Sequence, residues 1–359
     1  MQHLLSVFVQ GGANGIVVNF TGTGTTSGYV QHVDTTNTMI NVEQIDDLIN
    51  RQIDEMPSLL GDGLIVPKGR LVIYGAPGSF KSFAVMQLCY SLALGNDWLG
   101  YDVHGKIKVL YMQAEIVERR LQDRAAKMFE FYGEAENFST SYTRDFSLRG
   151  EQSWQELADA VERSEADFIF LDPLSQLLPG SEVDDKAMRN FLQGLDLLST
   201  HADCGIGLVH HARKGVYSGD GVLYKGAENL RGWSGLNGWT DTVIRLNNPR
   251  GIEKNTIEIS WEKVRHGPEP LEKWLRFDAD SGILVESDSD PKKLVYKALR
   301  DGPQTIDEVD RVLIKQGGKS GRTAGRFRKE LEKKNVVIQY ERPGDKRFKM
   351  IEWVDRPIT

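Results

Sequence analysis

Eight consecutive residues could hold a phosphate chain. Gly75, Ala76, Pro77, Gly78, Ser79, Phe80, Lys81 and Ser82 read G-A-P-G-S-F-K-S. An apolar run, Leu71 to Tyr74, predicts a buried strand before them, and Phe83 to Leu94 follows at helical spacing. Strand, Gly-rich turn, Lys-Ser, helix is the context of a phosphate loop. Backbone N–H groups of the turn and the helix start face the phosphates, where the helix dipole favours negative charge. Lys81 would reach the β- and γ-phosphates, and the Ser82 hydroxyl would hold Mg²⁺. Phe80 departs from G-x-x-x-x-G-K-[ST], which asks for Gly where backbone approaches the ligand. Phe80 puts a side chain at that point, which either crowds the loop or packs its ring against the helix that follows.

Two carboxylates fall at the ends of predicted strands. Phe168–Leu171 runs into Asp172, which could hold the hydration shell of Mg²⁺. Ile107–Met112 runs into Q-A-E, placing Glu115 beyond the carboxyl edge of a sheet, where open α/β sheets bind ligands. A carboxylate there could activate water; otherwise Glu115 is a helix-start residue favoured by the dipole. A third strand, Gly205–Val209, ends in His210-His211. Either could sense the γ-phosphate, and their opposite facing argues against a shared metal. Arg213 to Asn229 is long and Gly-rich, carrying Lys214 and Lys225. In a ring, such loops could grip a single strand through charge, with Tyr217 or Tyr224 stacking on bases. Arg231, in L-R-G-W-S-G, is either a γ-phosphate arginine acting on a neighbouring subunit or a structural salt-bridge partner.

These groups need a scaffold. The 359 residues allow one large and one small domain, and 40% hydrophobic with 26% charged residues is ordinary for a soluble globular chain. Strands are expected near 70–74, 107–112, 167–171 and 204–209. Helices are expected near 81–95, 116–133, 151–164 and 185–201. This alternation predicts an α/β fold with a mostly parallel sheet covered on both faces. Strands near 241–246 and 256–262 are expected at its edge. Residues 1–41, rich in Gly, Thr and Asn, form either short strands (4–9, 15–19, 29–33) or a loosely ordered arm. Val42–Leu59, capped by Asn41, predicts a helix that packs either on a neighbour or on its own core. The ATPase-type domain then spans 42–285. Cys89 and Cys204 lie in apolar runs without metal-ligand or disulfide spacing and read as buried thiols. With no apolar run near the ~20 residues of a membrane span and no signal-peptide pattern, no membrane partner and a cytoplasmic setting are expected.

The charge is uneven. The chain carries −7, yet Pro291–Glu352 holds 17 Lys/Arg against 9 Asp/Glu, a net +8, leaving −15 elsewhere. S-D-S-D-P predicts a polar linker at 286–291. Residues 292–359 then predict three helices and two strands around R-P-G-D, a winged helix-turn-helix-like unit. Its third helix, Ser320–Lys334, carries Arg322, Arg326, Arg328, Lys329, Lys333 and Lys334. It would suit duplex DNA, with Arg322, Arg326 and Lys329 as contacts; docking to a protein partner is the alternative.

The segments GLIVPKGRLVIYGAPGSFKS, VLYMQAE, FIFLDPLSQLLPGSEVDDKAM, GLVHHARKG and LRGWSG together resemble the RecA-like ATPases of the RepA type. Those are hexameric replicative helicases and relatives encoded by plasmids, phages and bacteria. The resemblance covers about 60–285. It implies a RecA-like P-loop core, ATP with Mg²⁺, a homo-oligomeric, hexameric ring and work on single-stranded DNA. By that resemblance Lys81 and Ser82 are the phosphate-loop pair, Glu115 the catalytic glutamate and Asp172 the metal-side aspartate. His211, with His210 the other candidate, takes the sensor position, and Arg231 is the trans-acting arginine. Two functions follow: an ATP-driven DNA translocase or helicase, or an ATP-binding DNA-associated regulator or recombination mediator that does not unwind.

Overall fold

A computed structural model describes residues 5–12, 15–22, 42–52, 57–144, 146–182, 184–211, 217–218, 221–222, 235–248, 255–317, 321–345 and 347–354. The chain opens with an antiparallel hairpin, β1 (Leu5–Gly12) and β2 (Gly15–Gly22). A short helix α1 (Ile45–Asn50) follows. The longer helix expected over 42–59 does not form. α1 begins after Gln44, buries no residue, and leaves Ile45 and Ile49 exposed. The expected cap Asn41 lies outside the described residues, as does the strand expected near 29–33.

The core is a nine-stranded sheet. In chain order its elements begin with β3 (Arg70–Gly75), α2 (Lys81–Leu94), β4 (Val109–Gln113), α3 (Glu118–Tyr132) and β5 (Phe138–Tyr142). They continue with α4 (Glu151–Ser164), β6 (Phe168–Asp172), α5 (Leu174–Leu177), α6 (Asp185–Ala202) and β7 (Gly205–His211). After a two-stranded ribbon, β8 (Tyr217–Ser218) and β9 (Gly221–Val222), come α7 (Gly235–Trp239), β10 (Thr242–Asn247), β11 (Thr256–Val264), β12 (Lys273–Phe277) and β13 (Leu284–Glu286). The sheet order is β13-β12-β11-β10-β3-β7-β6-β4-β5. From β10 to β5 neighbours run parallel; β11, β12 and β13 extend it antiparallel. The two late strands therefore do not form the edge: β10 lies beside β3, and β12 and β13 continue past β11.

β3, at the centre, shows why the parallel strands read as apolar runs. Leu71 and Ile73 pack into one layer with α2 and α3, while Val72 and Tyr74 pack into the other with α4, α5 and α6. A strand covered on both faces has no polar side to alternate with. Cys89 and Cys204 are buried thiols, as expected.

The C-terminal segment contains α8 (Pro291–Leu299), β14 (Gln304–Thr305), α9 (Ile306–Lys315), α10 (Gly321–Lys333), β15 (Val337–Glu341) and β16 (Lys349–Trp353). The three helices and two long strands stand at the expected places, and β14 adds a third strand in the order β14-β16-β15. Thr305 and Glu308 close a capping box on α9, which satisfies two otherwise unpaired N–H groups. Val295, Val309, Leu313, Phe327, Leu331 and Ile351 form a separate small core.

The polar stretch before α8 is a docked joint. Asp290 is 6% exposed. Its carboxylate caps α8 through the N–H groups of Lys292 and Lys293 and accepts the Trp274 N–H of β12 at 2.6 Å. Leu271 of the core side packs into the C-terminal cluster. Lys293 pairs with Glu286 at 2.8 Å across the joint.

Candidate functional site

The phosphate loop leaves β3 at the middle of the sheet and enters α2. Gly75 is required where it stands: a Cβ there would lie 2.2 Å from the Leu246 carbonyl oxygen. Gly78 (φ 78°) and Phe80 (φ 60°, ψ 21°) are both left-handed and flank Ser79. Alternating handedness turns successive N–H groups inward, which makes an anion-binding nest. The Ser79 hydroxyl donates to the Ala76 carbonyl at 2.8 Å and closes the loop.

The Phe80 ring takes the second of its expected places, beside Phe83 of α2 (centroids 6.2 Å). The position demands positive φ, which explains why Gly suits it. Here the strain is borne by an aromatic cluster. The Phe80 ring stacks on Phe277 of β12 (centroids 4.3 Å, 28°), Phe83 lies 4.7 Å from Phe277, and the Arg124 guanidinium sits 4.5 Å over Phe83.

Lys81 is 6% exposed. Its ammonium donates to the carbonyls of Gly75 (3.1 Å) and Ala76 (2.8 Å). Burial lowers its pKa to about 8, against the pull of Asp172 and Glu115. Desolvation penalises the charged form, and nearby carboxylates only partly offset it. An anion in the nest would supply what the amine lacks.

Asp172 ends β6 and is 2% exposed. Burial raises its carboxyl pKa, while hydrogen bonds from Tyr111 and Ser82 and the charge of Lys81 pull it down. The Tyr111 hydroxyl donates to Oδ2 at 2.6 Å. Register sets Gln113 of β4 directly beside Asp172. Gln113 Nε2 lies 3.1 Å from Tyr111 Oη and 3.4 Å from Asp172 Oδ2. Its Oε1 accepts the N–H groups of Glu115 (2.5 Å) and Ile116 (3.2 Å). Glu115 itself is exposed just past the strand.

β7 runs beside β3, with His210 against Tyr74 and His211 against Gly75. Alternation sends His211 to the phosphate-loop face and His210 to the opposite face. His210 is fully buried, 3.8 Å from the Glu182 carboxylate. Lys214, Lys225, Tyr224 and Arg231 lie outside the described residues, and Tyr217 is described only as part of β8.

On α10, Arg322, Arg326, Lys329 and Lys333 are exposed at helical spacing along one stripe. Arg328, counted with them from sequence, is not part of it. It is 9% exposed and pairs bidentately with Asp310 (2.6 and 3.0 Å), with a further bond to Gln339 at 2.7 Å. Lys334 donates to the Glu269 carbonyl.

Lys81, Ser82, Asp172 and Glu115 are thus gathered at the carboxyl edge of β3, β4 and β6. Sequence reasoning missed Gln113 and Tyr111. The signal for Gln113 was a polar residue closing an apolar strand. Among the described residues no group of three or more His, Cys, Asp or Glu could hold a metal alone. The Ser82–Asp172 pair fits Mg²⁺, which takes few protein oxygens and completes its shell with phosphate and water.

A phosphate loop after the central strand, with acidic tips on the parallel strands to one side, defines a P-loop ATPase on a RecA-like α/β core. The chain belongs to the AAA domain family, whose model matches residues 36–216, half of its length. A solved KaiC-like protein from the hyperthermophilic archaeon Pyrococcus horikoshii is similar at 15% identity, with a TM-score of 0.44 over 66% of this chain and 99% of that one. No curated protein matches the sequence.

Proposed function

We propose that this ATPase is a DNA translocase or helicase, working as a ring on single-stranded DNA. The observation that carries the DNA half is the α10 stripe, where Arg322, Arg326, Lys329 and Lys333 stand clear of any core role while Arg328 is spent on Asp310. Exposed cations at this spacing suit phosphates, and duplex contact through the C-terminal unit would hold the ring near its substrate. In the core, the nest and Lys81 bind the phosphates of ATP. Ser82 and Asp172 would hold Mg²⁺, which would supply Lewis-acid stabilisation of the charge on the phosphoryl oxygens. Glu115 takes the proton of the attacking water. His211 senses the γ-phosphate in this reading, which its register beside Gly75 favours over His210 beside Tyr74. The loop after it, with Lys214 and Lys225, grips the single strand, and Arg231 serves a neighbouring site.

The test is ATP turnover with and without single-stranded DNA, paired with strand displacement on a forked duplex and mass measurement with nucleotide. DNA-stimulated turnover, displacement and a closed oligomer support the proposal. Turnover indifferent to DNA would sink it. Nucleotide-dependent DNA binding without displacement would favour the non-unwinding regulator.

A further inference from the structure

The water-activating carboxylate sits on an exposed turn, yet something must fix it relative to the buried metal-side carboxylate. Among the described residues, the backbone N–H groups of Glu115 and Ile116 find a single protein acceptor, the Oε1 of Gln113. The same side chain, 1% exposed, directs its amide N–H groups at Tyr111 Oη and Asp172 Oδ2. The amide can sit only this way round, because Oε1 turned toward the Asp172 carboxylate would set acceptor against acceptor. Its two donors and its two acceptor lone pairs are then all used. β4 and β6 are also locked at this point, since Ala114 N–H donates to the Asp172 carbonyl at 2.8 Å.

We propose that Gln113 is a positioning residue for hydrolysis, joining Asp172 to the turn that carries Glu115 so that the two carboxylates keep a fixed separation. This rests on the ATPase reading above. Gln113 spends its four hydrogen bonds on protein groups. It acts by holding the Glu115 backbone, and a displacement of about 1 Å at a reacting group can cost about 10²-fold in rate.

The test compares Gln113→Met, of similar volume but without these hydrogen bonds, with Gln113→Glu, which keeps an oxygen toward the two amides. In nucleotide-free protein, Gln113→Met should speed hydrogen exchange at the Glu115 and Ile116 amides by about tenfold or more. It should lower kcat for ATP about 10–100-fold, leave KM within about threefold, and add no further loss in a Glu115→Gln background. Gln113→Glu should keep the exchange protection. At saturating Mg²⁺ it should recover kcat to within about fivefold of the parent, because burial beside Asp172 favours the neutral carboxyl, whose O–H donates where Nε2 did. Unchanged exchange and kcat in Gln113→Met would overturn the proposal, as would losses that multiply in the double variant. If a melt shows that Gln113→Met does not fold, Gln113→Glu decides alone. A kcat below about a tenth of the parent at saturating Mg²⁺ then overturns it. Failure of the ATPase reading looks different: the parent would show no turnover that Lys81→Ala removes, while the exchange arm would still report the hold of Gln113 on the turn.

Discussion

The phosphate loop and the outer face of α10 both present cations, and they keep them in opposite states. Lys81 is 6% exposed, fixed on two carbonyls, with its pKa lowered to about 8 by burial. Arg322, Arg326 and Lys329 stand in solvent. A buried cation acts by place: it is desolvated in advance, so an arriving phosphate meets a strong, directed interaction. An exposed cation acts by number, releasing counterions in proportion to the phosphates it neutralises. Arg328 shows that one helix can hold both kinds, since its guanidinium is buried on Asp310 while its neighbours face water.

The contrast breaks most sharply at Lys81. Lys81→Ala should leave a folded protein whose ATP turnover falls by about 10³-fold or more, because a preorganised charge is removed from the site of developing negative charge. A folded variant with parent-like turnover would show that the loop binds no phosphate. Glu115→Gln comes next. Gln keeps the shape and loses the base, so ATP should still bind while hydrolysis drops about 10²–10³-fold. A fall of less than about tenfold would leave Glu115 as a helix-start residue.

These two positions were legible because their signals are local. Lys81-Ser82 follows a strand and opens a helix, Asp172 closes an apolar run, and Glu115 stands two residues past the end of another. Gln113 and Tyr111 were not, because their roles depend on the register of β4 against β6, strands separated by two helices and β5. β5, β12 and β13 escaped for a different reason. FSTSY, KWLRF and LVE are short and only partly apolar, and the sheet they extend recruits them. Arg328 was misjudged because a count of charges on a helix cannot tell its buried side from its wet one.

On the exposed side, effects should be additive and salt-dependent. Replacing Arg322, Arg326 and Lys329 together by Ala should reduce the slope of log affinity against log salt by about 2–3 and weaken duplex binding about 10–100-fold near physiological salt. Basal ATP turnover should stay as it was. A salt titration that shows no change in slope would leave the stripe as a protein-docking face.

The buried side makes a smaller, pH-dependent prediction. Above about pH 8 the free site holds a neutral Lys81 amine. Binding ATP recharges it, so affinity should fall by up to about tenfold per pH unit above 8, with a proton taken up. The stability sign is the reverse. The unfolded chain keeps this proton up to the usual lysine range, so burying Lys81 costs stability below pH 8. That cost is relieved as pH climbs from 8 toward the usual lysine value. Calorimetric binding in two buffers of different ionisation enthalpy measures the proton uptake, and none at pH 9 would mean that the amine stays charged.

The smallest effect should come from Phe80, where the two kinds of argument meet. A non-glycine residue held at φ 60° costs about 1–2 kcal/mol. Phe80→Gly relieves that strain. It also removes the stack on Phe277, worth about 0.5–1.5 kcal/mol beyond burial, and the burial of a half-covered ring, worth about 1–2 kcal/mol. Glycine further loosens the unfolded chain by about 0.5–1 kcal/mol. The losses exceed the gain by about 2 kcal/mol, so for a chain of this length the thermal midpoint should drop by roughly 2–4 °C. ATP affinity should stay within about threefold, because the ring points at β12 and Phe83 and not into the nest. A melt with and without ATP reads both quantities. If ATP binds about tenfold tighter to Phe80→Gly with no loss of midpoint, then Phe80 crowds the phosphate site after all, and the aromatic cluster is packing that the loop tolerates and does not depend on.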